Sequence, residues 1–110
     1  MDQVPTVQIA FLDTPDGTEL PLLDVREPDE WDAGHAPHAV SLPLSQLVAR
    51  VGEVPHRAAV VCKVGGRSAQ AVVWLRAQGY DVVNVDGGML AWQRAGRPLV
   101  DTAGRPGTVA

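Results

Sequence analysis

Cys62 is the single cysteine of this chain, and it opens the run Cys62-Lys63-Val64-Gly65-Gly66-Arg67-Ser68 directly after the apolar stretch Ala58-Ala59-Val60-Val61. The pattern puts a nucleophile at the end of a strand, followed by a glycine pair and a helical segment whose first-turn N–H groups point back at the sulfur. A free thiol has a pKa near 8.5, and a helix N-terminus or neighbouring cations draw it down to roughly 3.5–7.5. Both influences are expected here: the partial positive charge of the helix start, loop amides forming an anion nest, and the full charges of Arg67 and of Lys63, the only lysine in the chain. The expected chemistry is nucleophilic attack by a thiolate. A free cysteine is more often a small buried hydrophobe, and Val60 and Val61 would suit that. The glycine pair and the two cations would not.

The elements that must hold this loop are legible as short apolar runs with helix-compatible segments between them, an alternation that argues for a parallel sheet with covering helices. The runs are Leu20 to Val25, Ala39 to Leu42, Ala58 to Cys62 and Val82 to Val85, with Val4 to Ile9 as a weaker fifth strand. Their continuous apolarity suits strands buried on both faces. Leu44 to Val51 reads as a short helix entered through Pro43 and stopped by Gly52, Ser68 to Gln78 as the clearest helix, stopped by Gly79, and Gly87 or Gly88 to Ala95 as the last, stopped by Gly96. Residues 4–100 are expected to form one domain, and residues 101–110, rich in Gly, Pro and small side chains, a flexible tail. Ligands of open parallel sheets sit beyond the carboxyl ends of the strands, so Cys62 and Asp24 are expected to face one crevice.

With 110 residues, the chain has the length of one small domain, and 13 acidic against 9 basic side chains argue against a nucleic-acid surface. No apolar run approaches the ~20 residues of a spanning helix. Nor does the start carry the charges of a secretory signal. A soluble cytoplasmic protein without a membrane partner is therefore expected, and a lone cysteine agrees with a reducing compartment. One cysteine also gives no basis for a zinc cluster; no metal or cofactor is expected.

The loop resembles the C-x-x-G-x-R-S active-site loop of rhodanese-type sulfurtransferases. Leu22-Leu23-Asp24-Val25-Arg26-Glu27, followed by Glu30-Trp31 and Gly34-His35, is similar to that family's first signature, and Asn84-Val85-Asp86-Gly87-Gly88-Met89 through Trp92 with Gly96 and Pro98 is similar to its closing one. The resemblance implies a three-layer α/β/α domain with a five-stranded parallel sheet. It also implies a sulfurtransferase in which Cys62 takes sulfane sulfur from a small anionic donor such as thiosulfate, forms a persulfide, and passes the sulfur to a thiol, a protein or cyanide. In that scheme Lys63, Val64, Gly65, Gly66, Arg67 and Ser68 bind the donor and the transferred sulfur. The two glycines keep the cradle narrow, and Lys63 and Arg67 attract the anion. Asp24, Arg26, Glu27 and His35 are expected to support the site, with Glu30 a member of the same signature. Asp24 or Glu27 would pair with Arg26 or Arg67, because buried charges need partners, and His35 would be a hydrogen-bonded turn residue.

Two alternatives share these residues. A related phosphatase and arsenate-reductase branch has five residues between cysteine and arginine; here four intervene, Lys63 to Gly66, which narrows the cradle toward a single sulfur. A persulfide-relay or regulatory module acting on a partner protein would use the same loop with poor turnover of thiosulfate. The chain departs from the family pattern at Ala36-Pro37-His38, where many members have Ile-Pro-Gly, and around Asp13 to Glu19, where no first helix can be placed.

Overall fold

The computed structural model describes residues 4–110. Five parallel strands form one sheet in the order β1-β5-β4-β2-β3. They are β1 (Thr6–Val7), β2 (Leu22–Asp24), β3 (Val40–Ser41), β4 (Arg57–Val61) and β5 (Asp81–Val85). The helices are α1 (Pro15–Thr18), α2 (Pro28–Ala33), α3 (Gly66–Ala77) and α4 (Gly88–Arg94). Among the described residues no helix is long and apolar enough to cross a membrane.

The central strand β4 is buried on both faces, as its unbroken apolar run requires, and its alternation divides the core in two. Ala58, Val60 and Cys62 join Leu23, Val25, Ala71, Val72 and Leu75 under α3. Ala59 and Val61 join Val85 and Met89 under α4 and the 3-10 turn Ile9–Asp13, which adds Ile9 and Leu12. The expected three-layer α/β/α architecture is thus present, and the pleat aims Cys62 at the α3 face.

Several local expectations are corrected. Leu44 to Val51 is not one helix but two 3-10 turns, Leu44–Gln46 and Val51–Glu53, because Arg50 leaves helical geometry at φ −113° and ψ 23°. Leu44, Leu47, Val51 and Val54 still reach the core at helix-like spacing; a segment this short takes its conformation from packing. The unplaced region contains the 3-10 turn and α1, entered through Thr14, whose hydroxyl accepts from the Gly17 N–H, with Pro15 beginning the helix.

Residues 101–110, expected to be a flexible tail, fold back onto the domain. Val100 bridges both His35 and Pro106 in antiparallel fashion, and the N–H of Thr108 donates to Ala33 O at 3.0 Å. The Asp101 carboxylate closes the turn by accepting from the N–H groups of Ala103 and Arg105, each at 2.9 Å. The close approach needs glycine at position 34, where a Cβ would lie 2.2 Å from Thr108 O.

Arg26 has no exposed surface, and its guanidinium is bound to Asp24, itself 1% exposed. Nε contacts Asp24 Oδ1 at 3.0 Å, while Nη2 donates to Asp24 Oδ2 and to Gly34 O, both at 2.8 Å. The pair therefore joins the end of β2 to the exit of α2. Removing one partner strands a buried charge, so Asp24→Ala should lower the unfolding free energy by roughly 3–5 kcal/mol. Urea denaturation checks this; a loss near zero would mean that the pair does not hold the fold.

Candidate active site

Cys62 follows the last residue of β4, and its side chain is 1% exposed. Gly65, at φ +116°, reverses the chain and caps α3, a conformation that glycine adopts without a Cβ penalty. The turn points its N–H at Cys62 Sγ at 3.1 Å, and the Ser68 hydroxyl, one turn into α3, lies 3.3 Å from the same sulfur. Burial opposes ionisation of the thiol. The Ser68 hydroxyl and the N–H groups of Ser68, Gly65 and Val64 outweigh it and place the thiol pKa below its ordinary value. The leading favourable influences are hydrogen bonds within the loop rather than the two cations from which part of the effect was expected.

The carbonyl side of the loop is held from the other layer. Met89 N–H donates to Cys62 O at 2.8 Å and Leu90 N–H to Lys63 O at 3.0 Å, so the first turn of α4 holds the carbonyls while the loop amides turn to the sulfur. Gly88, at φ +53°, permits this, since a Cβ there would lie 2.3 Å from Cys62 O. This is what Gly88 does for the site, a role its sequence signature does not disclose.

Arg67 pairs with Glu30. Nη1 reaches Oε1 at 2.6 Å and Nη2 reaches Oε2 at 2.8 Å, a bidentate bond from the first turn of α3 to α2. Glu30 also accepts from the Glu27 N–H at 3.1 Å, completing a reciprocal cap of α2. Arg67 holds the Glu30 carboxyl far below its ordinary range, down to about 2. Neither Asp24 nor Glu27, the expected partners, makes this contact: Asp24 is taken by Arg26, and Glu27 accepts from Ser45 Oγ at 2.9 Å. The Glu27-x-x-Glu30 spacing was the available signal for the cap, whereas nothing local points to Arg67.

Other expected residues are distributed unevenly. Asp24 is in register with Val61, on the face away from Cys62, so the two do not share a crevice. His35 stacks on Trp31 at 3.7 Å, and its Nδ1 lies 2.8 Å from Trp31 O, in a turn that touches the tail rather than the sulfur. Lys63 is half-buried and Val64 exposed at the rim of the loop. Gly66 has helical geometry and open space around a would-be Cβ, so only Gly65 of the pair is held to glycine by its conformation. Asn84, which stands in the closing signature with no role of its own there, accepts from Ser68 Oγ through its Oδ1 at 2.6 Å.

Comparison with known proteins gives a consistent result. The model of the Rhodanese-like domain matches residues 9–95. A sulfurtransferase of Allochromatium vinosum is 40% identical over 92 residues, covering 81% of this chain and 86% of that protein. The probable adenylyltransferase/sulfurtransferase MoeZ of Mycobacterium tuberculosis is 39% identical over 87 residues, 74% of this chain, but the match spans only 22% of that longer protein. The crystal structure of a rhodanese-related protein from Thermoplasma volcanium superposes with a TM-score of 0.80 at 33% identity, covering 87% of this chain and 97% of that one.

Two outcomes follow from the loop geometry. Gly88→Ala should destabilise the protein by on the order of 3 kcal/mol through backbone overlap and left-handed strain, whereas Gly66→Ala should be neutral or stabilising by up to about 1 kcal/mol. Thermal unfolding of both variants checks the contrast. For Glu30, the folded pKa of about 2 lies below the reference value of 4.5, so its ion pair contributes fully above that reference and is lost as pH falls toward 2. The stability difference between the wild type and Glu30→Gln should be constant near neutrality and shrink below about pH 4.5; a difference independent of pH down to 2.5 would discount the ion pair.

Proposed function

The chain belongs to the Rhodanese-like domain family of sulfurtransferases, and from that premise we propose that Cys62 carries sulfane sulfur from a small anionic donor such as thiosulfate to a thiol, a protein acceptor or cyanide. The observation that carries this reading is the sulfur itself: a buried Sγ with the Gly65 N–H at 3.1 Å, the Ser68 hydroxyl at 3.3 Å and a lowered pKa. Such a group gives up its proton more readily than a free thiol and is oriented without a neighbouring base. The thiolate attacks the outer sulfur of thiosulfate. An S–S bond forms to Cys62, the original S–S bond breaks, and its electron pair leaves with sulfite. The acceptor then attacks the outer sulfur of the persulfide, and the electron pair of that S–S bond returns to Cys62 as thiolate. This is covalent catalysis in two displacements.

In this reading the loop amides from Lys63 to Ser68 bind the transferred sulfur, and Lys63 attracts the donor and offsets charge on the departing sulfite. Arg67 acts by fixing α3 against Glu30 rather than by binding the donor, since its two terminal nitrogens both engage the carboxylate. That commitment leaves Lys63 as the loop cation for a dianion. It also favours a second reading: a relay module loaded by a protein or thiol persulfide, with poor turnover of thiosulfate. The MoeZ name joins sulfurtransferase to adenylyltransferase in a longer chain, which is compatible with the relay reading for a domain of this size. Either role fits the cytoplasm, where thiols remain reduced.

Intact mass after incubation with thiosulfate tests the reaction class. One added sulfur atom on the wild type, absent from Cys62→Ser and removed by cyanide, is expected. An adduct from a cysteine desulfurase but not from thiosulfate would select the relay, and no adduct from either donor or from mercaptopyruvate would falsify sulfur transfer.

A further inference from the structure

Asn84 has no place in the scheme above, yet it is a polar side chain in the wall of the site, on the neighbouring strand. It is in register with Val60, which shares the α3 face with Cys62, and it is 7% exposed. Its Nδ2 donates toward Gly65 O at 3.4 Å, which orients the amide with Oδ1 on Ser68 Oγ at 2.6 Å. Ser68 Oγ, wholly buried, also lies 3.3 Å from Cys62 Sγ. A hydroxyl has a single proton. It cannot donate to Asn84 and to the sulfur at once.

We propose that Asn84 is a positioning residue that makes the Ser68 hydroxyl a two-position rotor, donating to Asn84 when Cys62 Sγ is uncharged and to Sγ when Cys62 is a thiolate. With a neutral thiol, S–H donates to Ser68 Oγ and Ser68 donates to Asn84 Oδ1, so each proton has an acceptor. When the thiol ionises, its proton leaves to solvent, Ser68 rotates to the anionic sulfur, and Asn84 Oδ1 loses its donor. Asn84 therefore competes with the thiolate for one hydrogen bond. In a persulfide the charge resides on the outer sulfur and Sγ is uncharged, so Ser68 returns to Asn84. The device thus favours the loaded over the unloaded anion, a consequence that rests on the sulfur-transfer reading; the rotor itself does not.

No other group on β5 competes for this proton: Asp86, beyond its end, is bound by Gln8 Nε2 at 3.1 Å. From α3, Arg67 faces the sulfur electrostatically but is paired with Glu30 of α2. Lys63 stands in the loop itself, Asp24 at the end of β2 is on the opposite face and paired with Arg26, and α4 presents the Met89 amide to Cys62 O rather than to Sγ.

The test is the pH profile of iodoacetamide alkylation of the unloaded protein, which needs no sulfur donor. Asn84→Leu and Asn84→Ala should lower its midpoint and raise the thiolate fraction below the midpoint roughly three- to tenfold, as expected for release of one hydrogen bond. Ser68→Ala should raise the midpoint, and in that background the substitutions at position 84 should have no effect. A midpoint unchanged or raised by them, or an equal shift with and without Ser68, would overturn the proposal. In the wild type, the side-chain amide NMR signals of Asn84 should titrate with the alkylation midpoint, and in Ser68→Ala they should not; signals indifferent to Cys62 ionisation would also overturn it, even if the variants at position 84 fail to fold. Failure to load with any donor would sink the sulfur-transfer reading and leave the rotor standing.

Discussion

A guanidinium with no access to water must find acceptors inside the protein, and Arg26 is such a group. Its acceptors are the Asp24 carboxylate and the carbonyls of Glu30 and Gly34, at 2.8 to 3.4 Å. These contacts set α2 against the end of β2. Because α2 carries Glu30, they also set the carboxylate that takes Arg67, and Arg67 lies in the first turn of the helix that aims at Cys62. One desolvated charge thereby orders a line of contacts ending at the Cys62 loop. The tail adds to it from outside, since Thr108 bonds Ala33 and crosses Gly34 at the exit of the same helix.

The site resolves a conflict between burial and ionisation. A sulfur that is 1% exposed should hold its proton, because desolvation penalises the anion. It is driven the other way by dipoles at short range, and these remain in place because the loop carbonyls are already engaged by the start of α4. The polar groups of the loop are thus put to different uses: the carbonyls of Cys62 and Lys63 fasten it to α4, and the N–H groups of Val64, Gly65 and Ser68 face the sulfur. Fixed dipoles of this kind need no reorganisation when charge shifts between sulfur atoms.

Much of this was readable along the chain because it depends on local patterns. The continuous apolar runs identified a buried parallel sheet, the cysteine before glycine and a helix marked the loop in which amides gather around Cys62 Sγ, and Gly79 and Gly96 marked where helices stop. The spacing of four residues between Cys62 and Arg67 is the rhodanese one, one residue shorter than that of the phosphatase branch. In each case the signal lies within a few residues, since pleat, helix period and glycine stereochemistry act over that range.

What the chain order left open is which distant groups meet. Asp24 and Glu27 were the expected partners of Arg67, and only the packing of α2 on α3 brings Glu30 to it instead. The last ten residues have the composition of a loose tail, yet they are tied to residues about seventy positions earlier. Asn84 is an ordinary strand residue until β5 lies beside β4 and its amide reaches Ser68. The cradle around Cys62 Sγ is therefore a property of local sequence, whereas its support from α2, β5 and α4 is tertiary. Charges and lone pairs act over a few ångströms in space, and separation along the chain carries no record of that distance.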